Sequence, residues 1–179
     1  MIFDIILAPT ARIVKSAEHG QVLLTIKPMT EAFSKTTRSL VSLPSYNAAI
    51  FTLKDNPITS LSGIEGKRVC LVRGSSYGES FDNNTKIDKY YVASYQQITL
   101  MVLKKRCFAG VGIKKAIEHG FQSLNTSTAD FSKPYVFYRL PLFLLASNNL
   151  KDKQVIGKLV NAVERLKSKR EFRKAIDMY

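Results

Sequence analysis

Two adjacent serines, Ser75 and Ser76, stand in the run Gly74-Ser75-Ser76-Tyr77-Gly78, directly after the apolar stretch Val69-Cys70-Leu71-Val72. Serine hydroxyls and the N–H groups of a small-residue turn are donors that can converge on a carboxylate or a phosphate. The apolar stretch reads as a strand covered on both faces. In an open α/β sheet, ligands bind outside the carboxyl ends of the strands, which is where this run falls. Tyr77, and Tyr46 upstream, could stack on a bound molecule, and Arg38 and Arg73 could hold an anion. Each has a plainer reading. The run suits a simple strand-to-helix connection, tyrosines beside turns usually pack, and exposed arginines usually stay solvated. The residue types leave both readings open.

Catalytic and metal chemistry find little support. Ser75 and Ser76 have no His or Lys that the sequence pairs with them as an activating base. The Lys that would make the glycine-flanked run a P-loop is missing. His19 and His119 lie in similar Glu-His-Gly contexts and read as helix ends capped by Gly20 and Gly120. Neither has a Cys or His partner at ligand spacing, so no metal and no cofactor is expected. Cys70 and Cys107 read as buried free thiols, with a disulfide left open. The expectation is a binding protein and not an enzyme.

The elements that must position these residues alternate. Strands are expected over 3–7, 22–26, 48–53, 69–72, 87–92, 108–113 and 135–146, the last interrupted by Pro141. Helices are expected from Pro9-Thr10 to Gly20, from Gly78 to Phe81, over 94–105, over 114–119 and along 155–166, with a shorter one carrying Phe172, Ile176 and Tyr179. The segment 28–39 reads as irregular or weakly helical, and 60–64 as a turn or helical piece. In the helix over 94–105, Ile98, Val102 and Leu103 form an apolar stripe. Lys104, Lys105 and Arg106 stand at its carboxyl end, where the helix dipole favours cations. Alternating strands and helices argue for α/β class with a mostly parallel sheet.

The 179 residues suffice for one large domain or two small lobes. At 45% hydrophobic and 23% charged, the composition is that of a globular chain. A formal net charge of +13 raises the question of nucleic acid. The charge is spread out, however. Residues 151–179 hold nine Lys/Arg against four Asp/Glu, and the remaining excess is scattered. Without a basic tract, zinc-ligand spacing or an RNA-binding aromatic motif, nucleic acid is not expected as a partner. No apolar run approaches the length of a membrane-spanning helix. The apolar start contains Asp4 and is too short for a signal peptide, so no export signal is expected in the chain as given.

The order of features resembles the type II periplasmic solute-binding proteins, in particular the extracellular amino-acid-binding family of ABC transporters. Arg12 to Gly20 followed by a strand resembles the family's helix–glycine–strand step. Ser42-Leu43-Pro44-Ser45-Tyr46 resembles its Ser-x-Pro-Tyr segment before the first crossing between lobes. Ile58-Thr59-Ser60-Leu61 through Gly66-Lys67-Arg68-Val69 resembles the approach to the second lobe. Gly74 to Gly78 matches the ligand-facing turn, Leu103 to Ala109 resembles the segment usually rich in Gly-Arg-x-Asp-Ala, and Pro141 to Tyr179 resembles the return crossing and final helices.

The resemblance implies a two-lobed α/β fold with an incomplete first lobe (residues 1–59 plus 134–179) and a second lobe (60–133). A small polar or anionic molecule, amino-acid-like or other, would bind in the cleft through Ser75, Ser76, Tyr77, Arg38 and Tyr46. It also implies ABC-type uptake, a permease partner and a periplasmic location. The alternative is a sensing or interaction module of a signalling system with a degenerate cleft. Three departures accompany the likeness. The family's opening strand and helix are missing, which leaves an exposed sheet edge and a possible homodimer through it. Phe33 falls where the carboxylate-binding Arg would be, with Arg38 the nearest substitute. Phe108 stands in place of the usual acidic residue, with Asp130 a distant alternative.

Overall fold

A computed structural model describes residues 4, 6, 8, 10–124, 127–170 and 172. The chain runs α1 (Thr10–Glu18), β1 (Leu24–Lys27), α2 (Glu31–Thr36), β2 (Thr37–Thr52), β3 (Arg68–Val72), α3 (Glu79–Asp82), β4 (Asp88–Val92), α4 (Tyr95–Leu103), β5 (Ala109–Ile113), α5 (Lys114–Ser123), β6 (Tyr135–Ser147) and α6 (Lys153–Lys167). Short 3-10 turns at Leu61–Ile64 and Thr128–Asp130 complete it. The strand expected over 3–7 and the helix expected through Ile176 and Tyr179 lie outside the described residues, apart from Asp4 and Ile6, which belong to no element, and Phe172.

Among the described residues the strands form one six-stranded sheet in the order β1-β6-β2-β5-β3-β4. The sheet is mixed, which corrects the expectation of a mostly parallel one. β3 runs parallel to β4 and β5, while β1–β6, β2–β6 and β2–β5 are antiparallel. The reason is β2, which starts at Thr37, in a segment the sequence presents as irregular. Val41 and Leu43 are buried while Ser42 and Pro44 face out, the two-residue period of a half-covered strand. β2 and β6 thus become two long strands side by side. At one end β6 pairs with β1, Leu24 lying opposite Ala146. At the other end β2 pairs with β5, Thr52 lying opposite Ala109. Between these ends the register slips between Leu43 and Tyr46. Pro44 sits in that slip and Pro141 nearby on β6, and neither can donate to the ladder.

Burial follows strand alternation. On β3, Val69 and Leu71 enter one core with Ile50, Ile64, Tyr77, Phe81 and Val111. Cys70 enters the opposite core with Phe51, Val92, Ile98, Val102, Cys107 and Phe121. β3 is therefore covered on both faces, as its sequence implies. A third, smaller core joins Ala17, Phe33 and Leu145 beneath α1 and α2.

Cys70 and Cys107 form a disulfide, which corrects the reading of free thiols. Their separation of 37 residues hides the fact that β5 lies beside β3, with Cys70 opposite Gly110. Cys107, three residues before Gly110, thereby reaches β3 from the turn that leads into β5. Both cysteines are fully buried.

Caps behave largely as written. Gly20, at φ +68, ends α1, its N–H bonded to the Ala17 carbonyl. Ser94 caps α4 by accepting the Gln97 N–H, and the Gln97 side chain accepts the Ala93 N–H in return. Gly120 does not end a helix. α5 continues to Ser123, because Gly120 lies where α4 presses in: a Cβ there would stand 3.1 Å from the Thr99 hydroxyl.

Candidate functional site

The Gly74–Gly78 turn leaves β3 at its carboxyl end with Gly74 at φ +77 and Gly78 at φ +99, conformations that L side chains rarely adopt. Gly78 is doubly constrained, since a Cβ there would meet the Tyr138 ring of β6 at 3.0 Å. Asp82, the last residue of α3, fastens the turn. Its Oδ2 accepts the Ser76 hydroxyl at 2.5 Å and the Gly78 N–H at 3.1 Å. The Tyr77 N–H lies 3.1 Å from both carboxylate oxygens. The donors that could have met an external anion are thus directed at a carboxylate of the chain itself.

Beside the turn is a cleft of about 450 Å³. Gly74, Ser75, Ser76 and Asp82 form one wall, Leu71, Lys89 and Tyr91 the floor and flank, and Thr30 approaches from the β1–α2 connection. Thr30 is there because it is the N-cap of α2, its hydroxyl accepting the Phe33 N–H. Lys89 and Tyr91 project on the same side of β4, two residues apart. The Lys89 ammonium donates to the carbonyls of Asp82 (2.9 Å) and Asn84 (2.8 Å) and lies 5.4 Å from the Phe81 ring centroid.

Of the five site residues expected from sequence, Ser75 and Ser76 line this cleft. Tyr77 is 1% exposed, its ring packed edge-on to Phe81, and it offers the cleft no aromatic face. Arg38 lies on the side of β2 that faces the β6–α6 connection. Its guanidinium donates to the carbonyls of Ser147 (3.3 Å) and Leu150 (2.5 Å). Tyr46 is half-buried at the register slip opposite Leu140 and is not among the cleft residues. Phe33, expected from the resemblance to stand where an arginine would be, turns into the small core. Phe108 packs under Lys67, and Asp130 is exposed in a 3-10 turn where its carbonyl accepts the Lys54 N–H. Thr30, Asp82, Lys89 and Tyr91 were not singled out from sequence. Thr30 and Asp82 carried a local signal, as a cap preceding a helix and an acid following a glycine-rich turn. Lys89 and Tyr91 carried none until β4 was placed beside β3.

Under the turn, the Tyr77 hydroxyl is buried, faces the hydroxyls of Ser75 and Tyr95, and completes no hydrogen bond of good geometry. The Tyr95 hydroxyl accepts the Ile113 N–H at 3.3 Å. Burial raises the Tyr77 pKa well above its usual value of 10.0 and raises that of Tyr95 as well. The folded state therefore holds the Tyr77 proton more tightly than the unfolded chain does, and its share of stability is lost as pH rises above the ordinary tyrosine value. Tyr77→Phe removes an unsatisfied buried hydroxyl. We expect it to leave stability unchanged or raise it by about 1 kcal/mol at neutral pH. It should also flatten the alkaline fall, which urea unfolding at neutral pH and above pH 10 will measure.

No protein-family model matches the sequence, and no curated protein matches it in sequence. Solved structures match it in shape. An amino acid ABC transporter substrate-binding protein from Streptococcus pneumoniae, bound to L-arginine, superposes with a TM-score of 0.75 at 14% identity, over 95% of this chain and 73% of that one. A histidine kinase sensor domain with similarity to periplasmic binding proteins gives 0.74 at 12% identity, over 92% and 72%. A solute receptor for L-cysteine from Neisseria gonorrhoeae gives 0.73 at 11%, over 96% and 70%. The chain has the type II periplasmic-binding fold. Within it β2 and β6 are the longest strands, and the Gly74–Gly78 turn leaves the carboxyl end of β3. The chain spans 70%, 72% and 73% of the length of the L-cysteine receptor, the sensor domain and the transporter protein.

Proposed function

We propose that the chain is a solute-binding-like domain that holds a small polar molecule in the cleft between Thr30 and the Gly74–Ser76 turn. The observation that carries this reading is the cleft itself. It draws residues from the β1–α2 side and from the β3–β4 side, which are joined through the two long strands. A cleft walled from two sides lets closure add contacts to a bound molecule, and the register slip around Pro44 and Pro141 is where bending disrupts the fewest ladder bonds. Neighbours of the same fold bind L-arginine or L-cysteine, which supports a small polar ligand. Uptake with an ABC permease is the reading that the transporter-linked neighbours favour. The buried Cys70–Cys107 disulfide supports a periplasmic or otherwise oxidising compartment.

A second reading, a sensing or interaction module with a degenerate cleft, is favoured by the positions of Phe33 and Arg38, which leave no arginine among the described residues that line the cleft. A neighbour that is a kinase sensor domain supports it too. A thermal-shift screen with amino acids, small carboxylates, amines and sugars separates a binding cleft from the degenerate cleft of an interaction module. A solute-binding domain gains about 2.7 kcal/mol at a hundredfold excess over Kd, or several degrees in Tm. The gain should shrink when Ser75 and Ser76 are both replaced by alanine. Melting unaffected by every compound would leave only the interaction module.

A further inference from the structure

The ligand class of the cleft follows from one side chain. On the reading above, that the cleft binds a small molecule, we propose that Asp82 makes it a site for a small amine and excludes carboxylates. The Ser76 hydroxyl and the Tyr77 and Gly78 N–H groups already converge on the Asp82 carboxylate. An incoming carboxylate would find these donors engaged and would face a like charge at close range. Among the described residues Asp82 Oδ1 takes only the Tyr77 N–H, at 3.1 Å, and a carboxylate oxygen has room for a further donor.

The other charged group that lines the cleft, Lys89, turns its ammonium toward the backbone. Two of the three Lys89 donors go to the carbonyls of Asp82 and Asn84, and its ammonium is seated over the Phe81 ring. Tyr91, 47% exposed in the cleft wall, presents an aromatic ring of the kind that attracts cations. The Ser75 and Thr30 oxygens add acceptors that an ammonium can use. A carboxylate, an exposed aromatic ring and hydroxyl acceptors in about 450 Å³ suit a primary amine or a short diamine.

The test is titration of the full chain with 1,4-diaminobutane, glycine and sodium acetate, read by amide NMR shifts at Gly74–Gly78 and Tyr91 and by calorimetry. The diamine should shift these amides at concentrations where acetate and glycine do not. Asp82→Asn keeps an acceptor for the turn and removes the charge, and it should weaken the diamine about tenfold or more. Because Asp82 also fastens the turn, Tyr91→Leu serves as the second variant. It leaves every Asp82 bond in place and should weaken the diamine several-fold. Tighter binding of acetate or glycine, or diamine affinity unchanged in both variants, overturns the amine assignment while the cleft reading stands. If none of the three shifts the cleft amides but a sugar or other solute from the thermal-shift panel does, the amine assignment alone falls. If nothing binds, both fall.

Discussion

Replacing Cys70 and Cys107 together by alanine is expected to lower the stability of the oxidised protein by about 4–5 kcal/mol. The disulfide closes a loop with a sequence separation of 37, for which the chain-entropy relation gives a little under 4 kcal/mol, within the usual range of 2–5 for a native bridge. Loss of two buried sulfur atoms from the core beside Ile98, Val102 and Phe121 adds to that figure. For a chain of this size the change should appear as a fall of about 10 °C in Tm. The wild-type protein unfolded and refolded with a thiol reductant should fall by a similar amount. Reductant added to the native state should act slowly, because both sulfurs are buried and exchange needs a thiolate to reach one of them. Ellman titration of the unfolded wild type should find no free thiol without reductant and two with it. The same bridge ties β3 to the turn before β5, so the alanine pair should also loosen the Gly74–Gly78 turn at the end of β3. Its ligand response should weaken along with its Tm.

Much of this architecture was legible in sequence wherever a residue's neighbours in the chain decide its place. The Val69–Val72 run announced a strand buried on both faces, the stripe of Ile98, Val102 and Leu103 announced the helix over 94–105, and Gly20 announced a helix end. The order of these local signals also carried the resemblance to the two-lobed binding proteins. What stayed hidden depends on residues far apart in the chain. Nothing local shows that Cys70 and Cys107 meet, since β5 comes to lie beside β3 only through the fold. Gly120 looks like a cap and is instead a packing position, because α4 lies against it. The cleft divides the same way. Ser75 and Ser76 were readable from a turn at the end of a strand. That Tyr77 points into the core, that Arg38 spends its donors on Ser147 and Leu150, and that Asp82 turns back onto its own turn were not. A motif specifies a position on the backbone, whereas the direction of a side chain and the competition for its donors are set by packing.

Phe33 tests that distinction most severely. If its position made the site, Phe33→Arg would restore the family's carboxylate clamp and confer amino-acid binding. The structure argues for the opposite result. Phe33 is 3% exposed and fills the small core with Ala17 and Leu145, against the half-buried Ile13, Val14 and Phe143. Its place is held locally, since its N–H is capped by Thr30 and its carbonyl accepts the Thr37 hydroxyl at 2.6 Å. A guanidinium put there would lose the aromatic packing, about 3–5 kcal/mol by analogy with Phe→Ala in cores. It would also be desolvated without an acidic partner among the residues of that core, a further cost of several kcal/mol. Together these rival the whole stability of a domain of ordinary marginal stability. Phe33→Arg is therefore expected to lose cooperative melting of the α1–α2–β1 region, and Phe33→Leu to retain it with a loss of about 1–2 kcal/mol. Circular dichroism and hydrogen exchange at β1 and α2 will tell the two apart. A folded Phe33→Arg protein that binds glycine or L-alanine would mean that the side chain can swing from the core into the cleft. Restoring a clamp by substitution would otherwise have to begin at a position already facing Thr30 and Ser75, with Asp82 replaced by a side chain that accepts none of the turn's donors.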